Sequence, residues 1–348
     1  MRGVVRTAAR QVEVVHLTRP RLEPGTAIVR VRASGICGSD LHMYRRGGER
    51  QDRPQGHEMA GEVVEIARHG DGAAVGVREG DLVAIDTICL GRACGACRWC
   101  REGAFFHCQQ KRQGPDWSGA FAEYIKRDAR GLFPLPAGMT AEEGALVEPL
   151  AVAVHALRLA NLREGESVAI IGAGTIGLTS LLAAVAMGAG DVYVLARHQH
   201  QAELARELGA AEVIVAAPER ASERVRERTG GRGVDLVVET VGGEAPVLNQ
   251  AWPMLRRRGR VVALGLFGNQ VPTDLGSPHG KEATLLFSVC YGEQDGVHDF
   301  QVAIDMIASG KAPAQRLLTH RFPLEQAGEA FATADDKSTR SVKVQFAL

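Results

Sequence analysis

The 348-residue chain lacks any run approaching the ~18 to 20 consecutive apolar residues that a membrane span needs. Its first ten residues, Met-Arg-Gly-Val-Val-Arg-Thr-Ala-Ala-Arg, contain no apolar stretch of the export-signal kind, so the expected location is the cytoplasm. Neither sign of charge is in excess. Lys+Arg and Asp+Glu both number 41, which gives no reason to expect nucleic acid or anionic lipid as a partner. Lysine is scarce, 6 of the 41 basic residues, a bias that fits genome composition better than function. No internal repeat or low-complexity segment is present. What remains is a globular chain of ordinary hydrophobic content, 45%, and of two-domain length.

Cysteine is what the chain does have. Seven occur, and in a reducing cytosol a cluster reads as a metal site rather than as disulfides. Four lie within fifteen residues, Cys94-Gly-Ala-Cys97-Arg-Trp-Cys100-Arg-Glu-Gly-Ala-Phe-Phe-His-Cys108. That spacing lets one irregular lobe, about residues 89–112, fold its thiolates around a single tetrahedral zinc. A second group of metal-capable residues is dispersed: Cys37, the pair His57-Glu58, and Glu148. One closed sulfur site and one open mixed site suggest two zincs, structural and catalytic. Cys89 and Cys290 fit neither and read as small core residues.

Residues 1–147 hold short strand-like runs broken by Gly and Pro, such as 27–32, 61–66 and 81–85, and predict antiparallel sheet in a barrel or sandwich. Beyond about residue 150 the pattern changes to alternating helices and apolar strands. Strands are expected at 167–171, 191–195, 212–215, 234–239, 260–265 and 284–288, and helices at 151–160, 176–187, 201–208, 221–229 and 245–255. Such alternation means a doubly wound α/β domain whose parallel sheet is buried on both faces. A helix at 296–309 and a strand at 341–346 follow, and are expected to return to the first domain.

Gly172-Ala-Gly174-Thr175-Ile176-Gly177 directly follows one of these strands and opens a helix. In that context the glycines allow a tight turn and close backbone approach, and the helix N-terminus receives a pyrophosphate. An NAD enzyme of this kind usually carries an acid about 20 residues further on, at the end of the second strand. Here that region reads Leu195-Ala196-Arg197-His198, and no acid appears until Glu203. Without a carboxylate to repel it, a 2′-phosphate could pair with Arg197 and His198, so NADP is expected over NAD.

Taken in order, Gly35-Ile-Cys37-Gly-Ser39-Asp40-Leu-His42, Gly56-His57-Glu58-Met-Ala-Gly61-Glu62, the four-cysteine lobe, Glu148-Pro-Leu-Ala-Val-Ala-Val-His155 and the glycine motif resemble the zinc-dependent medium-chain dehydrogenases. The similarity spans the full length and points to the polyol, sorbitol and threonine branch. It implies a GroES-like, mainly-β catalytic domain over 1–148, an inserted Rossmann domain over 149–289, and a C-terminal return over 290–348. Cys37 and His57 would ligate the catalytic zinc, with Glu148 where the polyol and threonine enzymes have glutamate and classical alcohol dehydrogenases a second cysteine. Glu58 resembles the family glutamate that can swing onto the metal. Ser39 and His42 match the pair that relays the alcohol proton to solvent. A homodimer or homotetramer is implied too.

The activity expected from this resemblance is hydride transfer between a secondary alcohol, polyol or sugar-like substrate and NADP(H), with zinc activating the alkoxide. An NAD-linked threonine or amino-alcohol dehydrogenase is the alternative, and a catalytically silent protein on the same fold a distant third. Two departures from the branch bear on specificity. The stretch between Cys37 and His57 is short and holds Arg45, Arg46 and Arg50, which could hold an anionic or heavily hydroxylated substrate or simply face solvent. Residues 287–291 lack the arginine that polyol enzymes often place there. His69, His107, His155, His298 and His320 have no comparable context and are expected to be structural or exposed.

Overall fold

The computed structural model describes residues 1–46, 48–67, 76–114, 116–244, 246–268 and 270–348. His69 lies outside them. The chain divides into two compact units, one of residues 1–151, 290–308 and 314–348, the other of residues 152–289 and 309–313.

The second unit is built on six parallel strands: Val168–Ile171, Val192–Leu195, Glu212–Ile214, Val234–Glu239, Leu255–Ala263 and Thr284–Phe287. Numbered in chain order they run 3-2-1-4-5-6 across the sheet, the doubly wound order. Every residue of Val168–Ile171 and Val192–Leu195 is buried, which is why these segments read as unbroken apolar runs. The order reverses beside Val168–Ile171, so a crevice forms at the carboxyl end of that strand, where the glycine motif begins. The helix expected at 221–229 begins earlier, as Pro218–Arg228, and the largest shift lies at the fifth strand. The helix over 245–255 is Leu248–Met254, with Ala245 outside the described residues, and its successor strand starts at Leu255 rather than 260. Pro253, which cannot donate to the helical ladder, stands just before that change.

In the first unit, Thr26–Gly35 is the central strand of a seven-stranded sheet and pairs antiparallel with Glu58–Ile66, Tyr124–Asp128 and Lys343–Ala347. The strands of residues 1–147 pair antiparallel, as the sequence suggested, and the one parallel pair among the described strands of this sheet comes from the C-terminal return. Leu318–Pro323 pairs parallel with Lys343–Ala347, made possible by the crossover helix Ala327–Asp335 between them. Ala27, Val29, Val31, Met59, Val63, Val83, Ile85 and Ile125 form one core of this unit. Phe121, Phe331 and Phe346 anchor another, with Phe121 edge-on to both partners at 5.6 and 5.4 Å.

Three further boundaries shift. The expected helix at 296–309 is Asp299–Ala308, because Gly296, at φ 75°, turns a short hairpin of Glu293–Gln294 and Val297–His298. The closing strand is Lys343–Ala347. The helix expected from residue 151 begins earlier, as Val147–Leu159, which brings Glu148 into its first turn. Among the described residues no helix is long and apolar enough to cross a membrane.

Candidate metal and cofactor sites

The thiols of Cys94, Cys97, Cys100 and Cys108 converge, all four Sγ atoms lying within 4.8 Å of one another. Cys97 and Cys100 are 3.5 Å apart and Cys94 and Cys100 3.9 Å. Sulfurs bound tetrahedrally at a zinc–sulfur distance of ~2.3 Å would lie roughly 3.8 Å apart, so the lobe fits the ion. Short turns place the donors: Arg98–Arg101 is a single helical turn, and Phe105–His107 a 3₁₀ turn ending at Cys108. Backbone N–H groups of Ala96 and Cys97 each donate to the Cys94 sulfur at 3.4 Å and bring its pKa down to about 6, favouring the thiolate a metal needs. Burial pushes Cys100 the other way, up to about 12.

The mixed site is assembled by the first unit's central strand and its neighbour. Cys37 lies two residues past the end of Thr26–Gly35, and Glu58 opens Glu58–Ile66 opposite Gly35. The donor atoms of Cys37, His57 and Glu58 lie within 4.8 Å of one another. Gly35 is required here, since a Cβ at that position would meet Glu58 Oε2 at 2.2 Å. The Asp40 carboxylate accepts the Cys37 N–H at 2.9 Å, and Thr87 Oγ1 donates to the His57 carbonyl at 3.0 Å, fixing the backbone behind two donors. Glu148, 4% exposed, lies outside the 4.8 Å group, but its charge and that of His57 interact. Burial pushes the Glu148 carboxyl up to about 8, with the His57 charge opposing and the Glu58 charge adding to it. His57 is raised well above its usual value: burial opposes this, and the charges of Cys37, Asp40 and Glu148 outweigh it. Asp40, Glu58, Glu148 and the Cys37 thiol thus gather around the His57 imidazole and the Lys343 ammonium that bonds Glu58, a mixed sulfur, nitrogen and oxygen donor set of the kind that holds a divalent cation.

Ser39 and His42 sit three apart on the helix Gly38–Arg46, a spacing that makes them surface neighbours. Ser39 is half-buried and lines an open cavity of about 420 Å³ beside His57, and His42 is exposed.

In the second unit, Gly172 has φ 102°, and Gly174 is the N-cap of the helix Thr175–Ala186. A Cβ on Gly177 would come within 2.0 Å of the Gly172 carbonyl oxygen, so the turn closes only on glycine. Ala196 is buried and continues the second strand, donating its N–H to the Ile214 carbonyl at 3.0 Å. Arg197 is exposed at that strand's carboxyl end, and no carboxylate pairs with it among the described residues. His198 caps the helix Gln199–Glu207, its ring 5.8 Å from that of His200.

Residues 23–137 match the family described as Alcohol dehydrogenase GroES-like domain, and residues 175–309 the family described as Zinc-binding dehydrogenase. The chain is 32% identical to the sorbitol dehydrogenase of Bacillus subtilis over 352 residues, 99% of this chain and 96% of the relative. The chain is a zinc-dependent medium-chain dehydrogenase of the polyol and threonine branch. The L-threonine 3-dehydrogenase of Pyrococcus horikoshii is 34% identical over 346 residues, 97% of this chain and 95% of that protein. The solved alcohol dehydrogenase TADH of Thermus sp. ATN1 superposes on the whole chain with a TM-score of 0.85 at 32% identity, both chains being covered completely.

Several residues of this dehydrogenase's sites carry no sequence signal. Lys343 holds Glu58 from a strand 285 positions away. Arg53, Arg92, Lys111 and Arg127 line the cavity beside His57, drawn from separate loops and strands. Of the arginines between Cys37 and His57, Arg53 lines that cavity, while Arg45 pairs with Asp335 and Arg50 with Glu13, and neither of these two lines it. His298 is buried against Phe105 and Phe133, with ring centroids at 5.8 and 4.7 Å, while His107 is exposed. Cys89 is fully buried and Cys290 half-buried.

Proposed function

We propose that this dehydrogenase oxidises a secondary alcohol of a polyol or sugar-like substrate, with NADP as hydride acceptor. The observation that carries the reading is the cluster of Cys37, His57 and Glu58 beside an open cavity on whose wall His57 and Ser39 both lie. Cys37, His57 and Glu148 would hold a catalytic zinc, with Glu58 in reserve, and a zinc there polarises the alcohol oxygen and lowers its pKa. Asp40 and Thr87 keep the backbone of Cys37 and His57 in place. Ser39 takes up the alcohol proton at its hydroxyl and passes it to His42, whose exposed imidazole releases it to water. Hydride acceptance belongs to the nicotinamide, and the chain's part is to orient the two partners.

The cysteine lobe would hold the second zinc. With four sulfurs as ligands it has no open position for substrate, so its role is to order the loop. Arg197 and the missing acid at Ala196 support NADP, because the site offers a cation and no repulsion to a 2′-phosphate. A homodimer or homotetramer in a reducing cytosol, where all seven cysteines stay free of disulfides, completes the reading.

NAD-linked oxidation of threonine is favoured by the 34% identity to a threonine dehydrogenase. A threonine ammonium needs an acidic partner, and among the described residues Asp40 is the one carboxylate on the cavity wall, with Oδ2 accepting the Cys37 N–H and Oδ1 unpartnered. Arg53, Arg92, Lys111 and Arg127 on the same wall repel an ammonium, and that weighs toward the polyol reading. The intact donor set at the cavity weighs against a silent protein. Rates over alcohols, polyols, sugars and amino alcohols with both cofactors test the proposal. A higher kcat/KM for NADP with a polyol supports it, and NAD-dependent turnover of threonine alone overturns it.

A further inference from the structure

The cavity beside His57 and Ser39 carries more positive charge than a neutral polyol can use. Arg53, Arg92, Lys111 and Arg127 all line it. None of the four has a carboxylate within ion-pair distance among the described residues. Two carboxylates stand nearby, and Asp40 Oδ1 is buried without a hydrogen-bond partner. Asp40 accepts from Cys37, and Asp86 accepts the N–H groups of Ile88, Cys89 and Leu90 at 3.1, 2.8 and 2.7 Å.

Holding loops together accounts for part of this cluster. Arg92 donates to the Trp117 carbonyl, and Arg127 to the carbonyls of Lys126 and Ser118, both at 2.6 Å. It does not account for the rest. The Nε atoms of Arg92 and Arg127 are buried without a hydrogen-bond partner. Arg127 is 1% exposed, and burial, then the neighbouring Arg92 charge, hold its pKa down to about 9, still protonated at neutral pH. Mutually repelling cations with unmet donors are costly to bury, and a bound oxyanion would offset the repulsion and accept the free N–H groups.

We infer that the substrate is a polyol-type alcohol bearing a carboxylate or phosphate, held through that anion by Arg53, Arg92, Lys111 and Arg127 while its carbinol end lies toward His57 and Ser39. This rests on the reading of the cavity as the substrate site of a zinc-dependent alcohol oxidation. Carboxylate and phosphate share the chemistry that guanidinium groups recognise, a planar or tripodal set of oxygens with delocalised negative charge. Which of the two is bound is left to the experiment.

The test uses hexitols, the matching hexonates and the matching hexitol phosphates in several configurations, with the zinc-loaded enzyme. The expected result is kcat/KM at least ten-fold higher for one anionic series than for the hexitols, carried by KM and weakening as salt rises. Arg53→Gln is expected to cut the anionic-to-neutral ratio at least ten-fold. Arg46→Gln, whose side chain does not line the cavity, is expected to leave that ratio unchanged. Equal or better use of neutral hexitols by the wild type, or an unchanged ratio in Arg53→Gln, overturns the inference while leaving alcohol oxidation standing.

Absence of oxidation across the whole panel overturns the proposed function instead. A binding measurement still decides the anion site in that case. Inorganic phosphate is titrated into the zinc-loaded protein and followed by tryptophan fluorescence, Trp117 lining the same cavity. Saturable binding, weakened at least ten-fold in Arg53→Gln, supports the site, and no saturable binding overturns it.

Discussion

Lys343 Nζ lies 2.7 and 2.6 Å from the two carboxylate oxygens of Glu58, across 285 residues of sequence. Both side chains are 1% exposed, and the third ammonium proton goes to the Ile36 carbonyl at 3.1 Å. A buried pair with every donor satisfied stands in contrast to a surface ion pair, because removing one partner strands the other charge out of water. Lys343→Met is therefore expected to lower unfolding stability by about 3–5 kcal/mol. The double variant Lys343→Met, Glu58→Gln is expected to recover part of that loss, since no unpaired charge remains. Denaturant midpoints of the four proteins measure it, and a Lys343→Met midpoint equal to wild type would show that the pair contributes nothing.

Cofactor choice is expected to turn on two neighbouring residues. A charge-assisted hydrogen bond to a phosphate contributes ~1.5–3 kcal/mol, so Arg197→Ala should lower kcat/KM for NADP roughly ten- to a hundred-fold and leave NAD little changed. Ala196→Asp places a carboxylate at the end of the second strand and should turn the preference toward NAD. Steady-state kinetics with both cofactors reads each effect. An NADP-to-NAD ratio that Arg197→Ala leaves unaltered would remove Arg197 from the site.

Acid sensitivity of the second unit is expected to pass through Asp235. Burial works against its ionised form, but the Ser167 hydroxyl at 2.6 Å, the Ser167 N–H at 2.8 Å and Arg256 Nε at 2.6 Å outweigh it and hold the pKa down to about 2. The folded-state value is below the unfolded one, near ~3.9, so this stabilisation is complete above about pH 4 and fades as pH falls toward 2. Asp235→Asn should therefore be less stable than wild type at pH 7, with the gap narrowing at pH 3. Urea unfolding at the two pH values checks the sign, and a gap that widens in acid contradicts it.

Sequence periodicity made the second unit legible because both faces of its sheet are buried, leaving strands such as Val168–Ile171 apolar throughout. The glycine motif was legible for a related reason: Gly172 and Gly177 answer to backbone geometry that no other residue satisfies. Local signals ran out at boundaries. Pro253 and Gly296 each shift an element by a few residues from where hydrophobic pattern alone puts it.

Residue type and, for the four clustered cysteines, short spacing pointed to two groups of candidate donors that the fold brings together, Glu148 excepted. Their supports were not legible. Lys343 reaches Glu58 only through the pairing of Lys343–Ala347 with Thr26–Gly35, a long-range contact that no local window contains. Scarce lysine read as a compositional bias, yet Lys126 and Lys343 are among the most deeply buried large side chains, each held by carboxylates. The basic segment with Arg45 and Arg50 drew attention as a substrate contact because charges in a loop are visible in sequence. The cations on the cavity wall were invisible because Arg53, Arg92, Lys111 and Arg127 become neighbours only in the fold.

Zinc content measured beside activity, for wild type, Cys37→Ser and Cys100→Ser, tests the division of labour between the two sites most directly. Wild type should hold two zincs per chain. Cys37→Ser should hold one, stay folded by circular dichroism and lose alcohol oxidation. Cys100→Ser should lose the other zinc and with it thermal stability. A Cys37→Ser protein that keeps both zincs, or that oxidises its alcohol at the wild-type rate, would contradict the account.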